Sequence, residues 1–199
     1  MLASSSPWRK ALCEQVGLAV DARAPQCDEA RIVGGAPAAL ALARARAKAE
    51  SLRVPHSIVI GADQVCHLGD RVFHKPADRE EHRSQLRALR GQTHRLSDGV
   101  VILAPHGREE FVVHADVTLR ADLTDQELDD YVDSGDALGC AGGYRAEGPG
   151  AWLVERIVGD GFTVVGLPLY DVLAALRRLG WQRGGPRHIK AAFLPGSTE

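Results

Sequence analysis

At 199 residues the chain can bury one good hydrophobic core, which argues against two independent domains. Apolar residues at 45% and charged residues at 25% are the composition of a folded globular protein and exclude a disordered or fibrous one. A net charge of -2 gives no bulk attraction to a nucleic-acid polymer, although a small basic pocket for one phosphorylated molecule survives a neutral total.

In chain order, Leu2 and Ala3 read as the end of a first strand shorter than most buried strands. Ser6 before Pro7 fits an N-cap with proline at the first helical position, so Trp8 to Val16 is expected as a short helix ended by Gly17. Pro37 to Leu52 is rich in helix formers and carries a cationic face, and Ser57 to Asp63 then reads as a buried strand. Arg79 to Leu89 is a second amphipathic helix closed by Gly91, followed by strands over Gly99 to Leu103 and Glu110 to Leu119. Thr124 with Glu127 forms a capping box for a helix reaching Val132. Ala151 to Asp160 is expected as a strand region and Leu167 to Trp181 as the last helix, with Leu169, Val172, Leu173 and Leu176 on one face. Residues 182–199 have no sustained period and are expected to be a mobile tail. Strands alternating with helices, with hairpin-like pairs among them, point to an α/β protein with a mixed sheet.

No run approaches the ~18 apolar residues of a membrane span, and no charged segment precedes an apolar leader, so the cytoplasm is the expected location. The four cysteines, Cys13, Cys27, Cys66 and Cys140, form no CxxC pair and signal neither zinc nor a disulfide framework.

Several segments could carry chemistry. The helix start in "SSSPWRK" can present backbone N–H groups to phosphate, with Ser4, Ser6 and Arg9 assisting; its ordinary reading is a plain N-cap. "IVIGADQVC" sets Asp63 directly after a buried strand, where it can accept a proton from water, hold a divalent metal, or merely cap a turn. Lys48 and Lys75 are solvated surface when taken alone. Asp28 and Glu29 are adjacent acids of the kind a hard cation needs. "GCAGGYRAEGPG", Gly139 to Gly150, is too glycine-rich for regular structure, allows close approach of backbone to a ligand, and delivers Glu147.

Taken together, "LASSSPWRK", the Asp28-Glu29 pair, Lys48, "GADQV", "KP", "GQTH", "CAGGYRAEG" and "GDGFTVVGLPL" resemble, in order and spacing, the Maf family of nucleoside triphosphate pyrophosphatases from Leu2 to about Trp181. The resemblance implies a single-domain, two-lobed α/β fold with a mixed twisted sheet flanked by helices and a deep cleft. It also implies a magnesium or manganese cofactor, a homodimer, and hydrolysis of a nucleoside triphosphate to the monophosphate and pyrophosphate. Asp63 would be the catalytic base and, with Glu29, a metal ligand; Ser4, Ser6, Arg9, Lys48 and Lys75 would bind phosphate. Trp8, Gln64 and Glu147 are similar to the selectivity residues of the YceF-type subfamily, which prefers 7-methyl-GTP and has a house-cleaning role against modified nucleotides. An aromatic face attracts a cationic methylated guanine by about 0.5–2 kcal/mol, while a carboxylate accepts from its N–H groups. The alternatives are dTTP or UTP as substrate, or a nucleotide-binding regulator of division or septum formation. Two departures from the family pattern are His74 before Lys75, and Asp98 where threonine is usual, expected to add negative charge near the cleft.

Overall fold

The computed structural model describes residues 1–137 and 139–181; the tail expected over 182–199 lies outside them. Its centre is β3, Val59–Leu68, a strand buried along most of its length. β3 runs antiparallel to β5, Thr93–Ala104, in continuous register from Val59 opposite Leu103 to His67 opposite Arg95. On its other edge β3 is shared. β1, Leu2–Ala3, lies parallel to Ile60 and Gly61, whereas β4, Arg71–Phe73, lies antiparallel to Cys66–Leu68. Between them Ala62 to Val65 has no strand partner on that side among the described residues. β2, Ala22–Arg23, extends the sheet beyond β1, and β6, Gly107–Leu119, with β7, Val154–Val158, extends it beyond β5.

Successive strand residues face opposite sides of a sheet, so β3 sorts its side chains into two sets. Gly61, Asp63 and Val65 face α2, Pro37–Ser51, whose Ala41, Ala45 and Ala49 recur every four residues and are fully buried. This small-residue stripe brings the helix backbone onto the sheet. A Cβ on Gly61 would lie 2.3 Å from the carbonyl oxygen of Ala45, and one on Gly99, opposite Asp63, 2.4 Å from the backbone of Leu42.

The other face carries two apolar clusters. Ile60, Ala62, Val100 and Ile102 pack with α1, Pro7–Gln15, and α6, Leu169–Arg178. Cys66, Leu96 and Phe73 pack with α3, Arg79–Leu89, and α4, Asp125–Ser134. Gln64 and Asp98, paired across β3 and β5, form the polar break between them.

The expected caps are present: the Ser6 hydroxyl accepts from the Arg9 amide, and Thr124 and Glu127 form a reciprocal capping box. Other boundaries differ from expectation for physical reasons. β5 begins at Thr93 rather than Gly99 because its polar residues are satisfied across the hairpin, Arg95 by Asp116 and Ser97 by His114, so no apolar run announces them. Ala151 to Asp160 is strand only over Val154–Val158, since a 3-10 turn fills Pro149–Leu153. The short helix α5, Gly161–Val165, was not foreseen; its β-branched residues favour strand, and the Asp160 carboxylate overrides them by capping Phe162 and Thr163. No described helix is long and apolar enough to cross a membrane.

Gly61→Ala is expected to lower unfolding free energy by more than about 2 kcal/mol in urea titrations, because the new methyl meets helix backbone, which cannot swing away as a side chain can.

Candidate active site

The unpartnered edge of β3 is the floor of a cleft of about 840 Å³, lined by the residues that the resemblance assigns to catalysis, phosphate, metal and base, whereas Asp28 and Asp98 do not line it. Asp63 and Gln64 stand side by side on that edge but, as strand neighbours, address opposite faces of the sheet.

On the α2 face the site is a charge cluster, buried at Lys48 and Asp63 and open at Glu29, whose side chain is 41% exposed. Lys48, in the last turn of α2, places Nζ 2.7 Å from Asp63 Oδ1 and 2.8 Å from Glu29 Oε2. The Lys48 and Asp63 side chains are only 7% and 10% exposed, so Lys48 is a buried cation and not the surface lysine that helix composition suggests. Asp63 Oδ2 is buried with no hydrogen-bond partner among the described residues. The acid pair divides: Asp28 caps the 3-10 turn Glu29–Arg31 and pairs with Arg31, leaving Glu29 alone to face the cleft.

At the start of α1, Ser4 is buried and accepts from the Ser6 amide at 3.1 Å. With the Arg9 amide taken by Ser6, two N–H groups expected for phosphate are spent on the serines themselves. Arg9 is fixed by Nε, which donates to the Gly166 carbonyl at 2.7 Å, and by Nη1, which reaches the Ser4 hydroxyl at 3.5 Å. Gly166 caps α5 at a positive φ of 110°, a conformation suited to glycine. Lys75, exposed just after β4, lines the cleft beside His74.

The glycine-rich segment forms the remaining wall. Gly142 and Gly143 have φ of 78° and 72°, and buried His82 bonds the Gly143 carbonyl. His94 of the "GQTH" motif bonds the Tyr144 hydroxyl at 2.6 Å, and burial pushes its imidazole down to about 4, so the ring is neutral at physiological pH. These ties position Arg145, whose amide donates to the Tyr131 hydroxyl at 3.0 Å. Its guanidinium carbon lies 3.7 Å from the Trp8 ring centroid, and Nε donates to Glu147 at 3.1 Å. Nothing in the spacing of the glycine-rich segment gives Arg145 a role; its place between Trp8 and Glu147 is a tertiary fact. Gln64 donates to the Thr163 carbonyl at 2.8 Å and to Asp98 at 3.2 Å, while its own carbonyl oxygen has no partner among the described residues.

Asp98 departs from the expectation of added negative charge. It is completely buried beneath Gln64, and burial raises its pKa to about 8 despite the nearby Arg9 cation and the Gln64 hydrogen bond. At pH 7 most molecules carry it protonated and neutral.

The fold and cleft define an α/β protein in which cations and carboxylates face one another across the interrupted edge of a mixed sheet, an arrangement suited to a polyanionic ligand. The model of the family described as Maf-like protein matches residues 1–179, and the chain belongs to that family. It is 44% identical over 196 residues to a 7-methyl-GTP pyrophosphatase of Rhizobium johnstonii, with 90% of this chain and 96% of the relative covered. It is 42% identical over 183 residues to a dTTP/UTP pyrophosphatase of Geobacillus sp., covering 91% and 98%. A 7-methyl-GTP pyrophosphatase of Brucella abortus is 42% identical over 190 residues, covering 89% and 94%.

Asp98 ties stability to pH. Its folded pKa lies above the unfolded value, so its favourable contribution is complete below pH ~4 and is lost as pH rises toward about 8. Asp98→Asn removes that loss. The gain in Tm over the parent protein is expected to be small at pH 5, to grow up to pH 8 and to level off beyond, as measured by calorimetry of the metal-free protein.

Proposed function

We propose that 7-methyl-GTP is the preferred substrate of this nucleoside triphosphate pyrophosphatase, with 7-methyl-GMP and pyrophosphate as products. The observation that carries the choice is the Trp8–Arg145–Glu147 contact. One planar cation meets the ring face of Trp8 and the carboxylate of Glu147 at once, so the two groups stand at a spacing that a cationic base can span. Gln64, with its amide nitrogen tied down, offers its carbonyl oxygen to the base.

In this reading Asp63 takes the proton from the attacking water as oxygen adds to the α-phosphorus, and the bond to the bridging oxygen breaks with pyrophosphate leaving. Arg9, Lys48 and Lys75 neutralise the triphosphate. Asp63 and Glu29 suit a divalent ion: Asp63 has an unpartnered oxygen, and magnesium typically needs only one or two carboxylates besides substrate phosphates. A magnesium or manganese ion bound there supplies further positive charge to the triphosphate. A house-cleaning role in the cytoplasm, carried out by a homodimer, belongs to the same reading. A second reading, dTTP or UTP hydrolysis, is favoured by the Geobacillus relative, whose identity is nearly that of the Rhizobium protein.

Pyrophosphate release from 7-methyl-GTP, GTP, dTTP and UTP, compared side by side with magnesium or manganese, is expected to be fastest for the methylated nucleotide. Faster turnover of dTTP or UTP would select the second reading. Chelation of the metal should abolish release. Asp63→Asn should lower kcat at least about 100-fold with the fold retained, and full activity in that variant would remove Asp63 from the chemistry. Glu147→Gln should cut the preference for 7-methyl-GTP over GTP about tenfold, as expected for loss of one charge-assisted contact.

A further inference from the structure

The place that the substrate reading gives to a methylated base is filled by the protein itself. The Arg145 guanidinium is flat, delocalised and positively charged, with N–H donors in its plane, and so shares its chemistry with a 7-methylguanine ring. It covers Trp8 at 3.7 Å and pairs with Glu147 at 3.1 Å. It also stands where the cleft meets a neighbouring cavity of about 480 Å³, since Trp8, Arg145, Glu147 and Val165 line both.

The two carboxylates on this guanidinium are not equivalent. Asp136 is 10% exposed, accepts Arg145 Nη1 at 2.9 Å, and uses its second oxygen to accept from the Tyr131 hydroxyl at 3.0 Å. Glu147 is 32% exposed and takes only Nε. Asp136 is thus the anchored partner and Glu147 the releasable one. If Arg145 leaves Glu147 while keeping Asp136, its own charge stays paired and only Glu147 needs a new cation.

We propose that Arg145 is an internal occupant of the base subsite, displaced by a cationic purine that replaces its charge on Trp8 and Glu147 while the guanidinium remains on Asp136. This inference rests on the substrate reading above and adds a specificity-determining residue to it. A neutral guanine stacks more weakly and leaves Glu147 without a counter-charge, so it displaces Arg145 less readily.

The test is calorimetric titration of 7-methyl-GMP and GMP into the parent protein, Arg145→Gln and Arg145→Lys. Both ligands carry the same phosphate, so the ratio of their affinities cancels any attraction of Arg145 for phosphate. Removing the resident cation should tighten binding of 7-methyl-GMP about threefold or more in Arg145→Gln, because no guanidinium then has to leave the subsite, without lowering its preference over GMP. Arg145→Lys, which keeps a charge for Asp136 but has no flat face for Trp8, should tighten binding of 7-methyl-GMP by less. It carries the test should the glutamine variant fail to fold. Unchanged or weaker binding of 7-methyl-GMP, or a reduced ratio, in the folded variants would overturn the displacement and make Arg145 a support for Trp8 or a substrate ligand, leaving the substrate reading intact. No preference for 7-methyl-GMP in the parent protein would overturn both.

Discussion

β3 is paired from Val59 to His67 along one edge and only at the two ends of the other, and the architecture of the site follows from that asymmetry. A sheet edge presents backbone donors and acceptors that need partners. Here β1 takes one end and β4 the other, leaving Ala62 to Val65 as a short step without a strand partner on that side. Strand alternation then puts Asp63 on the α2 side and Gln64 on the side of the two apolar clusters. In the proposed reading proton transfer and base recognition thereby fall to adjacent residues without competing for the same volume. The fixed register with β5 keeps both side chains in place.

The charges around that step are poor instruments of stability. Burying Lys48 and Asp63 together involves a desolvation cost that attraction between the ions only partly offsets. The unpartnered Asp63 Oδ2 adds to that cost. Asp98 shows the alternative solution at the neighbouring register position: with no cation bonded to it, the carboxyl keeps its proton at neutral pH. Asp63 has a cation bonded to it because α2 comes close enough for Lys48 to reach it, and that approach depends on Gly61, Gly99 and the alanine stripe. Packing of the smallest side chains therefore sets the electrostatics of the cleft.

What the sequence made legible is what local chemistry dictates. Ser6-Pro7 and Thr124 with Glu127 mark helix starts because capping involves residues within one turn. β2 and β4, two and three residues long, have no period to read and exist only through their partners. The ordered motifs located the cleft residues, but three facts needed the tertiary arrangement: Asp28 turns away while Glu29 turns in, Lys48 is buried, and Arg145 lies on Trp8. Each depends on how elements distant in the chain approach one another, which no spacing within a motif encodes.

The relatives sharpen the same point. Proteins named for 7-methyl-GTP and for dTTP or UTP match this chain at 44% and 42% identity over comparable lengths, so overall similarity cannot carry the choice of base. Discrimination between ligands is a difference of free energies, and a few contacts that change sign with ligand charge outweigh a shared scaffold. In the proposed reading Trp8, Arg145 and Glu147 are such contacts. An aromatic face and a carboxylate both favour positive charge, and in this structure a guanidinium supplies it. Under that reading a base has to replace a cation already in place, so the contacts of Arg145 oppose the entry of any base and yield most readily to one that brings its own charge.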